Sequence, residues 1–265
     1  MGGDFSAVRA SKWNKGMKDE LAQADSPSTR RLLLAAYNAL RARYGHRNWW
    51  PADTPFEMCV GAVLTQNTAW KNVTQAIANL KAAGALDVFA IHHMEPEELA
   101  VLIKPSGYYN IKARRLKSLV SHIVRRHRGE LSSLLDLPLG TLRKELLSVN
   151  GVGKETADSI ILYAAEKPIF VVDAYTKRVL GRHGILPADS DYDEVQEFFH
   201  RHLPRDVPLF NDYHAQFVAV GKNHCKAKPS CEGCPLADVF PPHGAKRRDG
   251  EPRAKVAPGS RVSRK

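Results

Sequence analysis

Gly151 and Gly153 stand between two apolar-periodic runs, in Val149-Asn150-Gly151-Val152-Gly153-Lys154-Glu155-Thr156-Ala157-Asp158. Glycine takes positive φ without steric cost. Such a turn leaves successive backbone N–H groups pointing outward where a helix begins, near Glu155. Orphan donors and the helix dipole together make an anion site. Backbone donors hold a phosphate whatever sequence it belongs to. The same Gly-Val-Gly also suits a plain corner between two helices. Asp173 follows Gly153 by twenty residues, just where Ala174–Leu180 turns helical. It can act as a helix N-cap, worth about 1 kcal/mol. It can also act as an ionised carboxylate facing an electron-poor sugar. Cleaving an N-glycosidic bond builds positive charge on the sugar. A fixed carboxylate stabilises that charge and can orient or deprotonate a water.

The segment Leu146–Leu180 resembles the helix–hairpin–helix DNA glycosylases of the endonuclease III superfamily. The likeness spans roughly residues 30–236 and includes Val63-Leu64-Thr65-Gln66-Asn67-Thr68. The resemblance implies that Gly151, Gly153 and Lys154 hold DNA and that Asp173 is catalytic. It implies that Gln66 helps fill the gap left in the base stack. The partner would be duplex DNA carrying a damaged base, bound by a monomer. Extrusion of the target nucleotide is a physical necessity, because the glycosidic bond is inaccessible inside the duplex.

Three positions depart from the superfamily pattern. Members with lyase activity carry a lysine two residues after the last hairpin glycine, as a Schiff-base nucleophile. Here that position is Glu155, and Lys154 comes one residue early, about 100° away around a helix. The expectation is a hydrolytic, monofunctional enzyme that uses Asp173 and water. The second departure is Trp49-Trp50-Pro51 with Trp70. Indole faces attract cations, and alkylated purines are cationic. These segments, with Lys104-Pro105-Ser106-Gly107-Tyr108-Tyr109-Asn110-Ile111-Lys112-Ala113, resemble the 3-methyladenine glycosylase branch. That likeness implies a base pocket lined by Trp49, Pro51 and Trp70. The same tryptophans could instead seal a core. The third departure is Cys225-x5-Cys231-x2-Cys234, which resembles a [4Fe–4S] loop. Phe240 stands where a fourth cysteine is usual. His224, His243 or an external group could complete the set. A Cys3His zinc site and a metal-free loop stay open.

The competing readings are an endonuclease III-like glycosylase and lyase for oxidised pyrimidines, and a non-catalytic protein that binds DNA damage. Glu155 speaks against the first and Asp173 against the second.

The elements that must position these groups read as all-α. At 265 residues with 43% hydrophobic and 25% charged, the composition is that of a soluble globular protein. No apolar run approaches the roughly 18 residues of a membrane span, and no secretory signal is evident. Few cysteines fit a reducing cytoplasm, at the nucleoid in a bacterium. The net charge is +11. Residues 243–265 carry +6 of it and read as a disordered basic tail.

Helical periodicity runs from Ser26 or Ser28 to Tyr44, from Pro55 to Leu64, from Trp70 to Ala82, and over 97–103 and 111–127. It resumes over 138–148, 155–165, 174–183, 192–200 and 214–220. The expected architecture is two helical domains with a DNA-binding cleft between them. One is a six-helix barrel, 52–167, containing the hairpin at about 138–165. The other comprises 26–51 plus 168–242 and carries Asp173 and the cysteine loop. Residues 1–25 read as a flexible extension.

Overall fold

The computed structural model describes residues 27–240. The N-terminal extension, the basic tail and His243 lie outside these residues. Twelve α-helices follow one another, and no strand occurs among the described residues. They are α1 Pro27–Tyr44, α2 Pro55–Leu64, α3 Trp70–Ala82, α4 Val88–His93, α5 Pro96–Leu102 and α6 Tyr109–His127. Then come α7 Leu131–Leu135, α8 Leu139–Leu147, α9 Lys154–Ser159, α10 Ala174–Arg182, α11 Tyr192–His202 and α12 Val207–Asn223. No described helix is long and apolar enough to cross a membrane.

α2 is buried on every side, from Phe56 to Leu64. Its Thr54 cap accepts the Glu57 N–H, and Pro55 occupies the first turn, where its missing N–H costs nothing. Cys59 within it is 1% exposed and packs as a small hydrophobe. Amphipathic α6 lays Leu116, Leu119, Val120 and Ile123 into the same core and packs on α4 and α5. Its Lys112 is buried. The ammonium donates to Leu64 O at 2.7 Å, Thr68 Oγ1 at 2.6 Å and Ser106 O at 2.8 Å. Burial, and secondarily Arg115, push its pKa down to about 8. The ammonium thereby ties the 65–68 turn to the Ser106 carbonyl, with Thr68 Oγ1 itself donating to Ser106 O.

The chain's end returns to its beginning. α12 packs on α1, and Tyr213 donates to Leu33 O at 2.8 Å. Asp212 accepts from the Tyr37 hydroxyl and from the Arg47 N–H, and Gln216 donates to Gly45 O. These bonds fix the loop that delivers Trp49 and Trp50.

Short α4 and α7 lie outside the helical ranges read from the sequence, and two longer elements differ from them. α12 starts at Val207, seven residues before the expected His214. Pro208, Asn211 and Asp212 look like helix breakers, but Asp206 caps Leu209 N–H and proline is tolerated in a first turn. The helix expected over 155–165 ends its α geometry at Ser159 and widens into a π-helix, Ile160–Ala164. Such widened turns re-aim side chains. Here the widened turn contains Tyr163, which reaches Trp50 and His214.

Candidate active site

The hairpin is the α8–turn–α9 unit. Arg143 of α8 clamps Asp158 of α9 through two bonds, 2.7 and 3.1 Å. Gln196 of α11 donates to the same carboxylate and to Phe170 O, both at 2.7 Å. Only Gly151 has positive φ, +87°. A Cβ there would also lie 2.2 Å from the Arg115 side chain. Gly153 sits at φ −90°, extended, as the N-cap of α9, so its positive-φ expectation is corrected. A Cβ at 153 would meet open space on the cleft side. Its smallness leaves room for a backbone to come close, and no side chain caps the α9 N-terminus.

Residues 168–172 run extended, and side chains of α11 serve their backbone. His200 Nε2 accepts the Phe170 N–H at 2.9 Å, and Tyr192 Oη accepts the Val172 N–H at 3.3 Å. Asp173 follows, 8% exposed, at the start of α10. Its Oδ1 accepts the Thr176 N–H at 2.7 Å and the Thr176 hydroxyl at 2.8 Å. Its Oδ2 faces His214 Nε2 at 3.6 Å, an ion-pair distance beyond hydrogen-bond length. The N-cap role and an open carboxylate oxygen therefore coexist in one side chain. Burial opposes ionisation, but His214 and the Thr176 donors outweigh it and hold the carboxyl below its usual range. His214 Nδ1 meets the Tyr163 hydroxyl. Burial, reinforced by Asp173, keeps that phenol protonated. With the phenol donating to Nδ1, the neutral ring would carry its N–H on Nε2, toward Asp173.

One cleft of about 1130 Å³ collects Trp49, Trp50, Trp70, Gln66, Arg115 and the hairpin. Lys154, Glu155, Asp173, Tyr192, His214 and Lys222 share it. Glu155 opens to solvent within this concavity. Crowding by the walls and the Asp173 charge raise its pKa. Lys154 turns aside to pair with Asp193. Gln66 donates to Gly151 O at 3.1 Å and Thr156 Oγ1 at 2.9 Å, and accepts from Arg115.

The tryptophans pack on one another, with ring centroids 5.6 Å apart for Trp49–Trp70 and 5.0 Å for Trp50–Trp70. Pro51 is exposed and outside the cleft lining, to which Trp50 contributes beside Trp49 and Trp70. A base between two rings needs them about 7 Å apart, so a sandwich requires one indole to swing away. The sequence pattern marks Trp50 only as a neighbour of Trp49 and gives no sign of His214, Tyr163 or Arg115. His214 is 41 positions beyond Asp173 in an ordinary-looking helix.

Cys225, Cys231 and Cys234 line a second cavity of about 360 Å³ with His183 and His224. Arg182 Nη1 approaches Cys225 Sγ at 3.2 Å, and Arg178 donates to Cys225 O at 2.7 Å. Burial first, then the charges of Cys231 and Cys225, raise the Cys234 thiol pKa. Phe240 is buried and packs edge-on against His183.

Residues 60–205 match the model of the HhH-GPD superfamily base excision DNA repair proteins. The chain belongs to that superfamily. This HhH-GPD chain is 46% identical over 208 residues to a putative DNA repair glycosylase, MJ1434, of Methanocaldococcus jannaschii. That match covers 78% of the chain and 94% of the relative. It is 29% identical over 185 residues to endonuclease III of Thermotoga maritima, covering 68% and 79%. Among solved structures it is similar to a Helicobacter pylori 3-methyladenine DNA glycosylase, MagIII, bound to 1,N6-ethenoadenine. There the identity is 31%, the TM-score 0.64, and the coverage 73% and 97%. An endonuclease III–DNA complex shares the fold at 24% identity and TM-score 0.69, covering 80% and 94%. The HhH-GPD protein is a base-excision DNA glycosylase with the two-domain helical fold of these structures.

Proposed function

We propose that this glycosylase is monofunctional and removes alkylated purines from duplex DNA by hydrolysis. The carrying observation is Glu155 at the lyase-lysine position, in the same cleft as Asp173, with Lys154 turned away onto Asp193. The α9 N-terminus and Gly153 receive a phosphate. Gln66 leaves its bonds to enter the emptied place in the stack. The extruded base meets the indole cluster of Trp49, Trp50 and Trp70. The aromatic faces and two carboxylates favour an electron-poor, cationic base, and the likeness to a 3-methyladenine glycosylase supports the same choice. Asp173 Oδ2 faces the sugar, stabilises its developing positive charge and steers water to the anomeric carbon. We assign residues 52–167 to the hairpin domain, and 26–51 with 168–242 to the domain of Asp173.

For the cysteine loop we propose a [4Fe–4S] cluster. Cys225, Cys231 and Cys234 line one cavity, and their spacing resembles that of a [4Fe–4S] loop, of which they would be three ligands. His224 is the fourth candidate: its Nδ1 bonds Ser230 O at 3.1 Å, which leaves Nε2 as the coordinating nitrogen. A cluster held there would be structural, tying the loop after α12 to α10.

The test is release of free base from duplexes with single lesions. The expectation is excision of 3-methyladenine-class lesions, none by Asp173→Asn, and retained DNA affinity in that variant. Equal release by Asp173→Asn would refute the mechanism. Release confined to oxidised pyrimidines would refute the substrate class.

A further inference from the structure

Away from the cleft, three ligand-type side chains converge between α6 and α8. His122 Nε2 lies 2.8 Å from Glu145 Oε1, and His127 Nε2 lies 2.6 Å from the same oxygen. All three side chains are mostly buried, 8–14% exposed, so their rotamers are held by packing while a solvent path remains. The outer nitrogen of His127 is 3.1 Å from Ser133 Oγ of α7, an arrangement that fixes a ligating ring.

We propose that His122, His127 and Glu145 form a zinc-class divalent metal site that staples the end of α6 to the first helix of the hairpin. Two imidazoles and a carboxylate are a zinc donor set, with a fourth position for water. The ligand atoms lie within 4.8 Å of one another. Tetrahedral zinc with bonds of about 2.0–2.1 Å separates its ligands by about 3.3 Å. Each ligand atom needs to move by less than about 1 Å to admit the ion. The staple acts on a mechanical line that already exists. α6 also carries Arg115, which abuts Gly151 and holds Gln66. Loading the site would therefore add a second tie between α6 and the hairpin, beside that of Arg115.

The experiment uses the full-length chain with its cysteine loop intact. The parent and a His122→Asn/His127→Gln double variant are stripped of loosely held ions with a chelator, equilibrated with zinc chloride and dialysed. Zinc per chain and thermal midpoint are then measured. The expected result is one zinc more per chain in the parent, and a zinc-dependent rise in midpoint that the variant lacks. Any zinc in the cysteine loop is common to both and cancels. Equal zinc content with equal midpoints overturns the proposal. Zinc-edge X-ray absorption on the parent alone decides the matter if the variant fails to fold. Nitrogen and oxygen neighbours with imidazole scattering support the site. A sulfur shell alone refutes it.

Discussion

His214 Nε2 stands 3.6 Å from Asp173 Oδ2, while Thr176 occupies Oδ1. The aspartate thus has one oxygen engaged in structure and one turned to the cleft. Removing the imidazole leaves that second oxygen without the ring nitrogen that faces it. His214→Ala is expected to slow single-turnover base release by about tenfold to a hundredfold, in the range of groups that orient a reacting side chain. Tyr163→Phe, which frees only the imidazole's far side, should cost less. DNA affinity should hold in both, and His214→Gln should recover part of the rate. Unchanged release in His214→Ala would remove the histidine from the mechanism.

Glu155 gives a pH signature. Its folded pKa is raised from 4.5, through crowding first and Asp173 second. A carboxyl raised on folding contributes stability that is fully present below the unfolded value and is lost as pH rises through the folded value. The parent should therefore lose stability relative to Glu155→Gln over the window beginning near pH 4.5, followed by urea unfolding. Parallel curves for the two proteins would contradict the assignment. Asp173 has the opposite sign: its folded pKa is lowered from 3.8, so its contribution is lost only as pH falls below that value.

Borohydride trapping examines the absence of a lyase lysine. With Lys154 on Asp193 and Glu155 at the nucleophile's place, no covalent protein–DNA adduct should accumulate. A robust adduct would make the enzyme bifunctional.

The indole cluster is open to a direct test. Trp70→Ala should weaken excision of an alkylated purine by about 1–3 kcal/mol of lost stacking. A parent-like rate would mean that Trp70 only packs against Trp49 and Trp50.

Lys112→Met should destabilise the fold by about 2–4 kcal/mol, because Leu64 O, Ser106 O and Thr68 Oγ1 lose a charged donor in the interior. Thermal unfolding measures this, and a midpoint equal to the parent's would show that the turn satisfies those oxygens another way.

What the sequence reveals about this site follows chain distance. Gly151, Gly153, Glu155 and Asp173 fall within 23 residues, so their spacing carries their relation. Helix identity is legible too, because caps and apolar periodicity are local. His214 meets Asp173 only through the packing of α12 on α10, and no local pattern encodes that. The π-helical turn is invisible because Ile160-Ile161-Leu162-Tyr163-Ala164 suits a buried α-helix equally well. Pro51 comes into the expected pocket only through the family resemblance, and in the structure it is exposed and outside the cleft lining.

The bonds of Gln66 carry a last consequence. Its amide is gripped by Gly151, Thr156 and Arg115. As the proposed wedge, it cannot enter a duplex until those contacts are surrendered, and DNA must supply the energy. A sound base pair resists opening and a weakened one yields for a few kcal/mol less. Scrutiny of the duplex then begins with a sheathed side chain, well before any base reaches the indoles. A variant that unsheathes it, such as Arg115→Ala, should be a less discriminating enzyme, not merely a weaker one.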